Sequence, residues 1–148
     1  MNKNNLKTIS ISLFAVLLLA SFKGDKDKLH KRHFTISLTD GKKPKPTPDE
    51  IFFKDGKVYC GDFAAEKLGS SDQIKYELKK DSTYMDEDVE VEYIDIFATT
   101  QLEKNEIFEF HCLLENFEVQ GTMKVLKSDK VKKAFEFTGQ EKVKEKKK

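Results

Sequence analysis

Histidine, glycine and proline are scarce in this sequence, and tryptophan is absent. With three histidines in the chain, Glu109 and His111 on one strand face have no further histidine to complete the three or four protein ligands of a typical zinc site. The sequence also lacks a Gly-x-Ser-x-Gly elbow and a glycine-rich phosphate loop, which would expose a serine nucleophile or hold a phosphate. We therefore expect no catalytic residue, no metal site and no cofactor.

A strong excess of one charge is also lacking. The chain carries 27 lysine and arginine residues against 26 aspartate and glutamate residues, and charged residues, 36% of the total, are interspersed along it. A nucleic-acid-binding domain needs a clustered basic face, so we expect no nucleic-acid partner. The acidic run at 86–92 lacks the central glycine of an EF-hand loop. Its alternation with valines is typical of a solvated hairpin tip.

No apolar run reaches the roughly 20 residues that a membrane-spanning helix needs. The longest run, at 9–20, follows Lys3 and Lys7, an order typical of a secretory signal. We predict a signal peptide over 1–20 that is cleaved near Ala20, which gives an exported protein with no stable membrane span after processing. An uncleaved N-terminal anchor is the alternative. Cleavage lowers the formal net charge from +1 to −1, because it removes two lysines and no acidic residue.

Alternation of apolar and polar residues with a period of two dominates the rest of the chain. It predicts about eight short strands, separated by short polar segments, in a single domain at 33–139. Residues 21–32 lack this periodicity and are predicted to be a flexible leader. The lysine-rich residues 140–148 are predicted to be a disordered tail. Ten phenylalanines between Phe34 and Phe137 are enough to build a core for a domain of this size.

The segment EIFFKDGKVYCGDF at 50–63 predicts a tight hairpin. Asp55-Gly56 is favoured in a two-residue type I′ turn, because both positions of that turn need positive φ. The turn fixes the register of both arms, and a slip of one residue would mix the two faces. It assigns one apolar face to the interior and leaves an aromatic pair outside as a candidate surface contact. The interior set is Ile51, Phe53, Val58 and Cys60, and the outer pair is Phe52 and Tyr59.

Two segments interrupt the alternation. Residues 62–69 predict a short helical turn that Asp62 can cap and Gly69 can end. In the fifth strand, Tyr93 and the valines before it share one face, whereas Ile94 and Ile96 lie on the other. A β-bulge near Tyr93 would reconcile the two sets, and so would burial of both faces.

Eight antiparallel strands with apolar inner faces favour an all-β fold in which one meander closes into a small barrel, because closure removes exposed strand edges. A two-sheet β-sandwich is the alternative. The interior of an eight-stranded barrel can be filled by side chains or can hold one small ligand. The predicted interior lining consists of Phe34, Ile36, Leu38, Ile51, Phe53, Val58, Phe108, Phe110, Phe135 and Phe137.

The order of the segments FTISL, IFFKDGK, KLG and GTM within residues 33–139 resembles that of small exported bacterial proteins with a lipocalin-like (calycin-like) barrel, most of them uncharacterised. The resemblance implies a barrel and an extracytoplasmic location, but no activity, because a fold does not fix a function. The Gly-x-Trp signature of true lipocalins is missing, since the chain has no tryptophan.

Cys60 and Cys112 lie on the predicted apolar faces of the third and sixth strands. In an exported chain, two cysteines are candidates for a disulfide. The bond requires Cα atoms within about 7 Å, and these two strands are not neighbours in a meander. Two buried free thiols that behave as small apolar side chains are the alternative.

Two interpretations of function follow from this fold. Because ten phenylalanines can fill so small an interior, we favour a non-enzymatic envelope interaction, structural or inhibitor-type module that contacts an extracytoplasmic protein through its outer surface. The apolar residues left over once the inward faces are assigned are Phe52, Tyr59, Ile94 and Ile96. Phe52 and Tyr59 are the candidate contact, since exposed aromatic patches often mark contacts. The alternative is lipocalin-like binding of a small apolar ligand inside the barrel.

Overall fold

The computed structural model describes residues 28–42, 45–69 and 73–142. The predicted signal peptide at 1–20 lies outside these residues. In the part of the chain that is described, no helix is long and apolar enough to cross a membrane. The elements are, in chain order, β1 (His33–Thr39), β2 (Thr47–Lys54), β3 (Lys57–Cys60), α1 (Asp62–Leu68), β4 (Ile74–Asp86), β5 (Val89–Gln101), β6 (Glu106–Glu115), β7 (Glu118–Lys127) and β8 (Lys130–Glu141).

The eight strands form a closed antiparallel barrel. Each strand pairs with the next along the chain, and β8 pairs with β1, where Leu38 lies opposite Phe137. This confirms the predicted all-β fold built from a single meander. The junction between β3 and β4 is short, with Val58 opposite Ile74 and one further pair, because α1 occupies the connection between these strands.

The hairpin between β2 and β3 has the predicted turn and register. Asp55 and Gly56 have φ angles of 52° and 76°, the positive values that a type I′ turn requires. Phe53 therefore lies opposite Val58. Both side chains are fully buried.

Inward side chains from all eight strands make one hydrophobic core. Phe135 is partly buried, and its ring meets that of Phe63 edge-on at 5.7 Å between centroids. The other residues of the predicted lining are buried: Phe34, Ile36, Leu38, Ile51, Phe53, Val58, Phe108, Phe110 and Phe137.

Helix α1 packs on the core at the barrel end away from the Asp55-Gly56 turn. It contributes Ala64 and Leu68, which are 1% and 3% exposed. Gly69 ends the helix in the left-handed conformation, as predicted, with φ of 72°. The apolar face of α1 thus covers an end that the strands leave open.

The start of α1 differs from the prediction. Asp62 lies inside the helix, and the N-cap residue is Gly61. The carboxylate of Asp49 on β2 accepts a hydrogen bond from the backbone N–H of Ala64 at 2.9 Å and so satisfies a free helix donor. A Cβ atom on Gly61 would lie 1.8 Å from the Asp49 carboxylate, so glycine is needed there for this close approach.

The predicted flexible leader is wrong for residues 28–32, which are built into the barrel. Leu29 is fully buried in the core. The backbone N–H of Lys31 donates to Phe53 O at 2.7 Å, and Phe53 N–H donates to Arg32 O at 3.0 Å. This segment closes the end of the barrel that carries the Asp55-Gly56 turn.

The bulge predicted near Tyr93 lies on the partner strand instead. The register between β4 and β5 shifts between Leu78 and Lys80. Ile94 and Ile96 are fully buried, whereas Tyr93 is half-buried. Val91, on the opposite face of β5, is also buried, so burial of both faces, the other alternative, describes this strand. Ile94 and Ile96 are core residues and do not belong to the outer surface.

The predicted tail also begins later than expected. β8 continues to Glu141, which lies opposite Phe34. The backbone N–H of Lys142 donates to His33 O at 2.8 Å. The remaining residues of the predicted tail, 143–148, lie outside the described part of the chain.

Candidate functional site: an outer groove

The barrel interior is occupied by its own aromatic side chains. The ring of Phe53 makes edge contacts with Phe34, Tyr76 and Phe110 at centroid distances of 5.9, 5.5 and 6.5 Å. Phe110 in turn stacks on Phe137 at 5.7 Å. These rings come from β1, β2, β4, β6 and β8, so the contacts run across the barrel.

A groove of about 1160 Å³ crosses the outside of the barrel beside α1, and we refer to it as the outer groove. Outward-facing residues of six strands form its floor, because they alternate with inward residues of the core. One row of directly paired residues runs across it in the order Tyr93, Glu115, Glu118, Gln140, Thr35 and Glu50. The adjacent row is Leu113, Gln120, Thr138, Ser37 and Pro48.

Two glycines let the strands under this groove approach closely. A Cβ atom on Gly121 would lie 2.0 Å from His111 O, and one on Gly139 would lie 2.1 Å from Thr35 O. Real side chains cannot fit at such distances, so only glycine permits this local geometry. Glycine within a strand is typical of a sharp bend at a barrel corner. Gly139 itself lines the outer groove.

The outer groove is negatively charged. The described residues that line it include six carboxylates and neither lysine nor arginine. Glu115 and Glu118 lie directly opposite each other, and like charges in that position are destabilising. The hydroxyl of Tyr84 donates to Glu115 at 3.0 Å, and this hydrogen bond raises the pKa of Tyr84. The carboxylates are Asp49, Glu50, Asp62, Glu66, Glu115 and Glu118.

Glu50 is held at one edge of the outer groove by two basic residues. The ammonium group of Lys142 donates to one carboxylate oxygen, and Nε2 of His33 lies 2.9 Å from the other. The hydrogen bonds from Lys142 and His33 lower the pKa of Glu50. This carboxylate therefore already pairs with two basic side chains, whereas no ion pair between the described residues involves the facing side chains of Glu115 and Glu118.

The predicted surface contact, Phe52 and Tyr59, lies on the outside of the barrel next to Glu50. Both side chains are half-buried, and their ring centroids are 6.0 Å apart. The ring of His33 meets Phe52 edge-on at 5.6 Å. The three rings, which we call the aromatic patch, lie on the neighbouring strands β1, β2 and β3.

Cys60 and Cys112 are both free thiols in the structure. Cys112 is buried between β5 and β7, opposite Ile96 and Gly121, and Cys60 is half-buried at the end of β3. The structure therefore has the two free thiols of the alternative, with no bond between Cys60 and Cys112. Both thiols are packed among apolar side chains, so neither is placed for reaction with solvent.

His111 on β6 makes a polar contact with the neighbouring strand. A ring nitrogen of His111 lies 2.6 Å from the Asp95 carboxylate on β5, and the ring faces Phe97 at 6.4 Å. Glu109 has no part in this contact. Among the described residues, no group of three or more histidine, cysteine or acidic side chains could hold a metal ion.

The facing pair Glu115 and Glu118 was not predicted, although the sequence contains a signal for it. Asn116 and Phe117 form a two-residue turn, and Asn116 has a φ of 55°. A two-residue turn necessarily places the flanking residues opposite each other, as at Asp55-Gly56. The remaining groove residues come from distant parts of the chain, and only closure of the barrel brings them together.

Comparison of the chain with protein-family models, curated proteins and solved structures gave no match. The resemblance to lipocalin-like proteins therefore stays a prediction. The candidate site stands on the geometry and charge of the outer groove alone.

Proposed function

We propose that this protein is an exported, non-enzymatic binding module that acts through the outer surface of a filled barrel. The observation that supports this is the occupied interior: aromatic side chains from five strands contact one another inside it. Helix α1 and residues 28–32 cover its two ends. A pocket for a small ligand usually needs about 300–1,000 Å³ of space, so we assign recognition to the outside.

The outer groove is the contact surface in this proposal, and its partner is a positively charged segment of an extracytoplasmic protein. A lysine or arginine between Glu115 and Glu118 would relieve the repulsion of these two facing carboxylates. The hydroxyl and amide groups of Thr35, Ser37 and Gln140 offer hydrogen bonds along the same floor. Complementary charge of this kind mainly sets specificity and association rate. An envelope, structural or inhibitor-type role fits such a surface equally.

The test is a fluorescence-anisotropy titration of the chain from residue 21 onward with labelled oligolysine and oligoglutamate peptides of equal length. We expect saturable binding of oligolysine that weakens as salt is added, and no binding of oligoglutamate. Glu115→Gln with Glu118→Gln should weaken oligolysine binding by about tenfold, which is about 1.4 kcal/mol. Glu103→Gln with Asp129→Asn removes the same charge outside the groove and is the matched control.

An apolar dye that responds to its environment, and a long-chain fatty acid, probe the interior in parallel titrations. We expect no saturable signal from either probe. Two results together would overturn the proposal in favour of an interior ligand site. The first is saturable binding of either probe. The second is equal binding of oligolysine by the groove variant and its control.

A further inference from the structure

Strand β4 is paired along only part of one side. On the side that faces β5, β4 is paired from Tyr76 to Asp86, and the pairing is interrupted only by the bulge. Toward β3 it pairs at Ile74 and Lys75, and Tyr76 N–H donates to Gly56 O at 3.2 Å. Within the described part of the chain, no strand pairs with residues 77–86 on this side. The barrel therefore carries a long edge that no described strand covers, and we call it the β4 edge. A side chain does contact this edge, because Lys28 donates to Asp81 at 3.0 Å.

The end of the β4 edge also exposes apolar side chains. Tyr84 and Met85 on β4 are 44% and 65% exposed, and Val89 across the turn is 60% exposed. Unpaired strand edges present a row of free N–H and C=O groups and are templates for pairing with another chain. Unpaired backbone groups and exposed apolar side chains thus occur together at the β4 edge.

The sequence of the β4 edge is complementary to itself. If two copies pair antiparallel about a two-fold axis at Thr83, Ser82 faces Tyr84 of the other copy. In the same register Lys80 faces Asp86 of the other copy, and the symmetry makes this ion pair twice. An axis at Asp81 would instead place two aspartates opposite each other. Charge therefore favours the register centred on Thr83, with its two ion pairs, over the register centred on Asp81.

We propose that the protein forms a symmetric homodimer through antiparallel pairing of two β4 edges, with the axis at Thr83. Opposite-charge pairs of Lys80 and Asp86 fix the register, and Tyr84, Met85 and Val89 cover the junction. The inference does not depend on the function of the outer groove. It does have a consequence for that function. Because Ser82 lies opposite Tyr93, pairing places both outer grooves on one continuous sheet surface.

The opposite interpretation is that the chain protects this edge. A bulge and charged side chains are common ways to prevent edge pairing, and Lys79 at the bulge and Lys80 supply both. In the monomer, Nζ of Lys80 lies over the ring of Tyr93 at 5.5 Å. Under this interpretation the chain stays monomeric, and charge exchange between Lys80 and Asp86 has no effect on association.

Sedimentation equilibrium of the chain from residue 21 onward, at concentrations up to about 0.5 mM, separates the two interpretations. We expect a monomer–dimer equilibrium. Lys80→Glu and Asp86→Lys should each raise the dimer dissociation constant by about tenfold, because each single change creates two like-charge contacts. The double variant restores opposite charges and should return the constant to within about threefold of the original value. Lys130→Glu, at the start of β8 and away from the β4 edge, is the control for Lys80→Glu.

Thr83→Cys adds a direct readout of the register. A residue on the two-fold axis faces its own copy. Mild oxidation of Thr83→Cys should therefore give a disulfide-linked dimer that a reductant cleaves. Lys130→Cys should give no such dimer. Circular dichroism of each variant verifies that the barrel is folded. A monomer throughout the concentration range overturns the proposal. The proposal is also overturned if the dimer dissociation constant is the same in all the charge variants and Thr83→Cys forms no cross-link.

Discussion

At the scale of the residue, burial controls the chemistry of the two cysteines. Burial, with a smaller contribution from the Asp49 carboxylate, raises the pKa of Cys60 to about 12. Burial, together with the Asp95 charge and Cys60, also raises the pKa of Cys112. Thiolates rather than thiols react with alkylating agents. Both residues should therefore behave as apolar core side chains at neutral pH.

The first prediction concerns the reactivity of these thiols. At pH 8 a thiol with a pKa of about 12 has about one thiolate in ten thousand molecules, so iodoacetamide should label the folded chain more than about a hundredfold more slowly than the unfolded chain. Mass spectrometry after unfolding without reductant should then find two labels per chain. No label under those conditions would mean that the two cysteines form a disulfide.

The second prediction concerns Glu50, whose hydrogen bonds to Lys142 and His33 lower its pKa below the ordinary 4.5. A carboxylate with a lowered pKa in the folded state stabilises the fold above pH 4.5, and this contribution disappears as the pH falls through the folded pKa. The melting temperature of the original chain should exceed that of Glu50→Gln at pH 6, and the difference should vanish toward pH 3. Glu103→Gln is the control. A difference that grows on acidification would contradict this sign.

At the scale of the element, sequence patterns predicted the features that residues close together in the chain determine. The β2–β3 hairpin has the predicted register because Asp55-Gly56 alone determines which residues face each other. The cap of α1 was predicted wrongly, because its acceptor, Asp49, comes from another strand. The bulge was also misplaced, since the extra residue lies on β4 and periodicity within β5 cannot reveal it.

The third prediction separates the observed cap of α1 from the predicted one. Asp49→Ala removes the acceptor for Ala64 N–H and should lower the free energy of unfolding by about 1 kcal/mol, the typical value of an N-cap. Asp62→Ala, the matched control, removes a carboxylate that makes no cap hydrogen bond and should cost less than half as much. Urea unfolding followed by circular dichroism measures both. Equal losses would mean that charge near the helix start, and not the cap bond, stabilises α1.

At the scale of the whole molecule, closure of the barrel depends on contacts between distant parts of the chain. The guanidinium of Arg32 donates to Glu141 on β8, to Glu92 on β5 and to the backbone oxygen of Asn116 in the β6–β7 turn. Its partners lie between 60 and 109 residues away. A sequence pattern cannot predict such contacts, so residues 28–32 were predicted to be flexible. The same reason explains why the rows of the outer groove were not predicted.

The last prediction is that Arg32 locks this end of the barrel. Burial opposes the charge of Arg32, but the hydrogen bonds of Glu141 and Glu92 outweigh it and raise its pKa, so it stays charged at all ordinary pH values. Arg32→Ala leaves two partly buried carboxylates without their cation and should lower the free energy of unfolding by about 2–3 kcal/mol. Arg32→Lys keeps the charge but loses the bidentate contact with Glu141. Its free energy of unfolding should therefore lie between that of the original chain and that of Arg32→Ala.

Lys28→Ala is the matched control, because Lys28 makes a more exposed ion pair with Asp81 in the same segment. Its loss should cost less than about 1 kcal/mol. Urea unfolding measures stability, and hydrogen exchange at the amide of Lys31, which donates to Phe53 O, reports whether the segment stays attached. Faster exchange in Arg32→Ala alone would mean that the guanidinium keeps residues 28–32 attached to the barrel. Unchanged exchange in both variants would mean instead that the buried side chain of Leu29, which both variants retain, keeps the segment attached.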